Sequence, residues 1–272
     1  MTLDKALFIS QEITPYLPAT PLATLCRDLP QFIQEKGIEV RTFMPKYGVI
    51  NERRNQLHEV IRLSGLNILI DDNDHPLIIK VATLQPSRTQ VYFIDNDDYF
   101  YRTGSSSELE TETSASNNDE RIMFFARGVI ETVKKLRWIP GVVHCTGWAT
   151  ALAPLYIRRM YGEDPTLKDS KIVFSVYPGN PVENLNPKVI DKLKMDGFSD
   201  QDIASLIEAD GIDGNALSRI AIDYSDGVVA ATADADPALL EYARSKGIPV
   251  MDFPGDADYA DAYRDFYASL ND

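Results

Sequence analysis

A chain of 272 residues is long enough to bury a full hydrophobic core, and it fits one large domain or a domain with a small annex. Its 41 acidic and 27 basic residues leave a formal charge of −14 spread along the chain, a field that repels phosphate backbones and anionic membranes and argues against a nucleic-acid or membrane partner. No apolar run reaches about 18 residues, and no basic segment leads into an apolar stretch at the N-terminus, so neither membrane insertion nor export is expected. The two cysteines, Cys26 and Cys145, form no CxxC and read as reduced core thiols of a cytoplasmic protein.

Lys5 to Ser10 reads as a short apolar strand. Pro15, Pro18 and Pro21 then stiffen a loop and remove amide donors from it. Leu22 to Lys36 places Leu22, Leu25, Cys26, Leu29, Phe32 and Ile33 at helical spacing, Gly37 caps the helix, and Glu39 to Met44 is the next strand, a βαβ opening. Strand-like segments follow at Glu59 to Leu69, Leu77 to Gln85 and Thr89 to Ile94, with Asp71 to Asp74 as the turn between the first two. These hairpin strands predict an insertion over about 55–95, and the Ser/Thr/Glu/Asn-rich stretch that follows predicts a mobile loop over about 103–117.

A long helix is expected over Glu120 to Lys135, a short strand at Val142 and Val143, a helix from Ala149 to Met160 and a buried strand from Lys171 to Tyr177. Beyond an irregular stretch from Pro178 to Phe198, helices are expected at Asn215 to Ile222 and Pro237 to Ser245 around a strand at Gly227 to Ala231. The acidic tail reads as a helix that docks through Tyr259, Tyr263, Phe266 and Tyr267. Such alternation predicts an α/β fold, a doubly wound Rossmann-like sheet in a single domain over 1–272, with ligands beyond the C-terminal strand ends.

The residues at those strand ends resemble a known family. The runs from Phe8 to Tyr16, Met44 to Gly48, Val91 to Asn96, Asn118 to Phe125, Val142 to Pro154 and Ala221 to Ala230 follow one another as in the N-terminal domain of bacterial glycogen and starch synthases. The resemblance implies the N-terminal half of a GT-B glycosyltransferase, of a family that moves glucose from ADP-glucose or UDP-glucose to an α-1,4-glucan with retention. It covers the acceptor-side domain and a short C-terminal piece, so the donor-nucleotide half is expected to be missing.

Against the family pattern, Glu12 keeps the acidic position of the first loop, but the diphosphate-holding KTGG segment falls on Pro18-Ala19-Thr20-Pro21, without the lysine charge or the glycine backbone that phosphate needs. Thr20 or Thr24 remains as a helix cap beside which an anion could sit. The pattern HAHDWHT becomes His144-Cys145-Thr146-Gly147-Trp148-Ala149-Thr150; His144 is a sugar contact or a satisfied structural histidine, and Trp148 stacks on a sugar or plugs the helix start. The family's sugar-holding aspartate falls on Asn117, which lacks the charge; Asp119 could substitute for it or stabilise the first turn of the helix. Tyr177 stands where TVHN supplied a histidine, and Lys46 and Tyr47 match the family's basic residue and tyrosine.

The catalytic candidates are therefore Asn117 and Asp119, and the substrate-binding candidates Glu12, Thr20, Lys46, Tyr47, His144, Thr146, Trp148 and Tyr177. No metal is expected, since Asp95 to Asp98 lacks EF-hand spacing and reads as a turn, and GxxxxGK[ST], HExxH and GxSxG are absent. No cofactor is expected beyond ADP-glucose or UDP-glucose as donor. The function expected is a glycogen/starch-synthase-like domain without independent glucosyltransferase activity, binding α-glucan or maltooligosaccharide or acting in regulation. Two alternatives stay open: an active retaining glucosyltransferase completed by a separate chain carrying the C-terminal domain, and a non-enzymatic scaffold acting through homo-oligomerisation.

Overall fold

The computed structural model describes residues 3–100, 115–178, 182–255, 257 and 259–271. The first strand, β1 (Lys5–Ser10), is followed by helix α1 (Pro21–Glu35), and the chain returns as β2 (Glu39–Pro45), parallel to β1 with Phe8 opposite Thr42. Thr20 caps α1 by accepting from the Ala23 amide at 2.9 Å, with Pro21 at the first helical position where no amide is needed. Gly37, at φ +87°, turns the chain out of the helix, its amide donating to the Gln34 carbonyl.

The predicted strand Glu59 to Leu69 is two pieces, β3 (His58–Glu59) and β4 (Leu66–Ile70), separated by the turn that carries Val60 to Gly65. β4 forms a hairpin with β5 (Asn73–Thr83) through Asp71 and Asp72 at φ +49° and +61°. Two left-handed residues give the connection the twist that matches the strands, and aspartate tolerates that backbone. β6 (Gln90–Asp95) pairs antiparallel with β5 and parallel with β2; of the turn expected over Asp95 to Asp98, Asp97 and Asp98 instead begin the short helix α2 (Asp97–Phe100).

Helix α3 (Asn118–Leu136) lies close on the sheet at Gly128, where a Cβ would stand 2.9 Å from Ile94 Cγ2. The sheet continues with β7 (Val142–Thr146), parallel to β1 on the side opposite β2. The predicted helix Ala149 to Met160 is a 3₁₀ turn at Trp148–Thr150, the short α4 (Leu152–Leu155) and a π turn at Tyr156–Met160. Then come β8 (Lys171–Val176), α5 (Val189–Met195), α6 (Ala204–Ile207), α7 (Gly214–Asp223), β9 (Gly227–Ala230), α8 (Pro237–Ser245), β10 (Val250–Met251) and α9 (Tyr259–Ser269).

The strand order is β10-β9-β8-β7-β1-β2-β6-β5-β3, with β10 through β6 in that order all parallel. Alternate residues face opposite sides: Ala6, Phe8, Val142, Val173 and Val229 pack with Leu29 and Ile33 of α1 and Tyr263 and Tyr267 of α9, while Leu7, Ile9, Val143, Ile172 and Phe174 pack with residues of α3, α4 and α7. Each such aliphatic side chain, wholly removed from water, contributes about 1.5–3 kcal/mol, which makes this doubly covered sheet the core. Strand order reverses between β1 and β7, so the loops after them, Gln11 to Thr20 and Gly147 to Thr150, flank the switch point where open α/β sheets hold ligands.

The part of the expected mobile loop at 103–114 lies outside the described residues. Among the described residues no helix is long and apolar enough to cross a membrane.

Candidate functional site

At the switch point the two loops contact one another. Gln11 donates its amide to the Thr146 carbonyl at 3.0 Å, and its side-chain oxygen accepts from the Ala149 amide at 3.4 Å. Gly147 turns at φ +94°, and a Cβ on it would stand 2.6 Å from Gln11 Cβ, so glycine is required both by the backbone and by the space that Gln11 occupies. Trp148 begins the 3₁₀ turn at 2% exposure, with its indole N–H unpartnered among the described residues.

At the mouth of α1, the Thr20 hydroxyl donates to the Glu12 carboxylate while accepting from the Ala23 amide. Between Thr20 and Thr24 it is thus Thr20 that caps. The positive end of the helix faces a buried carboxylate of the same chain, and Gln11 to Pro21 contains no lysine or arginine to offset a phosphate charge.

His144, on β7, is fully buried, with Tyr267 Oη at 2.5 Å from Nδ1 and Ser175 Oγ at 2.6 Å from Nε2. Phe8 stacks on one side and Tyr263 on the other. Burial disfavours the imidazolium and lowers the histidine pKa to about 3, so the ring is neutral and its one donor and one acceptor are matched by two hydroxyls. Its surroundings are α9 and the core. Thr146 is buried beside Cys26, whose thiol burial pushes up to about 12.

Tyr177, half-buried just past β8, has an enclosed hydroxyl without a partner among the described residues, and burial raises its pKa far above the ordinary phenol value.

The remaining candidates lie along β2, β6 and α3. Lys46 is buried with its ammonium 2.9 Å from Glu52, a carboxylate shared with Lys80, which also holds Asp95 at 2.7 Å. Asp95 therefore acts in an ion-pair chain, and among the described residues no cluster of three or more His, Cys, Asp or Glu side chains could hold a metal. Tyr47 is buried against Phe100 and under the Arg121 guanidinium, 5.9 Å from its ring centre. Asn117 is the half-buried N-cap of α3 and makes no side-chain capping bond, whereas its carbonyl accepts from the Arg121 amide at 3.0 Å.

Asp119, in the first turn of α3, is 1% exposed and ion-paired with Lys192 of α5 at 2.6 Å. Burial works against the Lys192 ammonium, but its hydrogen bonds to Asp119 and Glu120 outweigh that penalty and raise its pKa, so it stays charged. The network continues from Glu120 to the Tyr99 hydroxyl at 3.1 Å, on to His75 Nε2 at 2.9 Å and from His75 Nδ1 to Asp98 at 2.9 Å. Asp119 thus ties α3 to α5.

Residues 5–233 match the family model described as the starch synthase catalytic domain. The chain belongs to the starch synthase catalytic domain family. It is similar to a glycogen synthase of Chlorobaculum parvum, 35% identical over 222 residues covering 82% of this chain and 44% of that protein. A glycogen synthase of Chlorobium chlorochromatii is 38% identical over 174 residues, covering 64% of this chain and 36% of that protein. The chain therefore spans less than half the length of these curated relatives. Among solved structures it resembles the catalytic domain of starch synthase IV from Arabidopsis thaliana bound to ADP and acarbose, with a TM-score of 0.69 at 17% identity over 93% of this chain and 51% of that one. That likeness shows the fold, the alternating α/β sheet of GT-B-type starch and glycogen synthases.

Within this family frame the structure gathers Glu12, Thr20 and Thr146 near the mouth of α1 and places Asn117 and Asp119 at the head of α3. Sequence reading missed Lys192, Glu120, Tyr99 and His75, the partners that fix Asp119. A lysine in a short helix more than 70 residues away in sequence carries no local signal of that pairing. Open surface near α3 is a hollow of about 700 Å³ bounded by Ser116, Asn184, Asn186, Pro187, Ile190 and Ile207.

Proposed function

We propose that this chain is a glycogen/starch-synthase-type N-terminal domain without independent glucosyl transfer, serving to bind α-glucan or in regulation. The observation that carries the reading is the set of contacts at the switch point. Gln11 occupies the space against Gly147, Glu12 takes the positive end of α1, and His144 is neutral and turned toward α9. Transfer from a nucleotide sugar needs positive groups on the leaving diphosphate and a charged or polarising group at the reacting carbon. Here the carboxylate at the head of α3 is committed to Lys192 and the buried ammonium of β2's end to Glu52.

Glucan binding is supported by the hollow beside α3, where the exposed carboxamides of Asn184 and Asn186 stand among the apolar surfaces of Pro187, Ile190 and Ile207. Amides donate and accept toward sugar hydroxyls, and aliphatic side chains cover the C–H faces of the ring. The expected result is no incorporation of labelled glucose from ADP-glucose or UDP-glucose into glycogen by the chain alone, together with heat on titration with maltooligosaccharides that an Asn186→Ala variant reduces. Sustained incorporation would overturn the non-catalytic half of the reading, and flat titrations at millimolar ligand the glucan-binding half.

A further inference from the structure

His75 stands where the hairpin of β4 and β5 meets α2 and α3. Its side chain is only 12% exposed; the ring lies 4.6 Å from that of Tyr99 on α2 and edge to face with Phe124 of α3 at 6.5 Å. The ionisable groups that face it are Asp98 and Tyr99 from α2 and, through the Tyr99 hydroxyl, Glu120 from α3. Asp74 is its neighbour on β5, and β4 places the apolar Ile68 opposite it. Behind Glu120 stand Lys192 and Asp119.

The contacts in this row of groups compete for protons. Nδ1 lies 2.9 Å from Asp98, Nε2 lies 2.9 Å from the Tyr99 hydroxyl, and that hydroxyl lies 3.1 Å from Glu120. The two carboxylates only accept, the phenol has one proton to give, and a neutral imidazole has one more. An imidazolium supplies two, so that every contact closes: Nδ1–H on Asp98, Nε2–H on the Tyr99 oxygen and Tyr99 O–H on Glu120. A neutral ring leaves the row one proton short. Burial, with the charges of Glu120 and Asp98 close by, pushes the Tyr99 phenol far above its ordinary range, so the phenol keeps its proton whichever form the ring takes.

We propose that His75 and Tyr99 form a pH-operated hydrogen-bond switch between the hairpin and the head of α3. With the ring charged, the Tyr99 O–H points at Glu120. When Nε2 releases its proton to water, Nδ1 keeps its own, because a lone pair turned toward the Asp98 carboxylate would be repelled. Nε2 has then become an acceptor, the Tyr99 O–H turns to it, and Glu120 loses that donor. One proton goes to solvent, one hydroxyl reorients, and no covalent bond other than Nε2–H changes. The effect reaches α5, since Glu120 shares the Lys192 ammonium with Asp119 and, without the phenol, has that ammonium as its remaining side-chain donor among the described residues. The switch holds whether or not the chain binds glucan, and so goes beyond the reading above.

The test is NMR of the full chain, with histidine ring nitrogens and tyrosine Cζ isotopically labelled, from about pH 5.5 to about pH 8.5. As the pH rises, Nε2 of His75 is expected to lose its proton and Nδ1 to keep it, and the Tyr99 Cζ resonance to move with the same midpoint. His58, on the exposed β3, gives the pattern of a solvated ring for comparison. Tyr99→Phe assigns the tyrosine signal by its loss. Asp98→Asn, at an exposed position, offers Nδ1 an amide donor; the neutral ring is then expected to carry its proton on Nε2, and the movement of the Tyr99 resonance to be lost. A parent ring that is neutral with its proton on Nε2, or that does not titrate in this range, would overturn the switch. So would a Tyr99 resonance that stays still while His75 titrates, or one that moves in Asp98→Asn as it does in the parent.

Discussion

The neutral, buried His144 makes the stability of this protein depend on pH in a way that one substitution isolates. The unfolded chain takes up a proton at its histidine near pH 6.5, whereas in the folded chain burial holds the pKa at about 3. Between those values the unfolded state binds the extra proton, so stability is withdrawn as pH falls below about 6.5 and the loss continues until about pH 3. Each pH unit in that window removes about 1.4 kcal/mol, or about 2 kcal/mol between pH 7.5 and pH 5. A His144→Gln variant retains an amide donor and acceptor for Tyr267 and Ser175 but cannot titrate. It is expected to be less stable than the parent at pH 7.5 by about 1–3 kcal/mol, because the amide cannot meet both hydroxyls as the ring does. On lowering the pH to 5 the gap should narrow by about 2 kcal/mol, since carboxylates shared by both proteins cancel in the difference. Urea denaturation at a series of pH values measures it. Parallel pH dependences for parent and variant would refute the reasoning, for they would mean that the folded state accommodates the imidazolium.

Lys192→Met should cost about 3–5 kcal/mol in the same assay, because Asp119 would be left buried without its cation, and adding Asp119→Leu should restore most of the loss. A double variant no more stable than Lys192→Met would show that packing of α5, and not the charge, is responsible. Gly147→Ala combines a backbone at φ +94° with a clash on Gln11 and should lower stability by about 1–3 kcal/mol or more. Gln11→Gly, which removes the Cβ that a side chain at Gly147 would meet, should relieve the clash and leave the backbone strain, so a full recovery would place the whole cost in the contact.

Where the sequence carried local chemistry it was legible. The first strand and the helix Pro237–Ser245 begin and end at the expected residues, because an apolar run in one case and proline with an N-terminal aspartate in the other mark their ends. The tail helix and its tyrosines were legible from spacing. Ala149 to Met160 has helical periodicity but winds as 3₁₀, α and π turns in succession, a change invisible in periodicity. β10, with two residues, was too short to carry a pattern.

The candidate site divides along the same line. Which family groups were replaced can be read position by position, since Thr20, Asn117 and Thr146 name their own chemistry. What the survivors are bonded to cannot, because the partners are distant: His144 meets Ser175 and Tyr267 at separations of 31 and 123 residues, and Gln11 reaches Ala149 across 138. That distance changes the meaning of the replacements. Missing lysine and glycines alone describe a site stripped of its phosphate contacts, which a ligand could still enter. Gln11 lodged against Gly147, Glu12 bonded to the cap of α1 and His144 enclosed by α9 describe groups already bonded within the chain, so that freeing them would require breaking contacts in both loops at once. A single reversion such as Pro18→Lys would therefore supply charge without releasing those contacts.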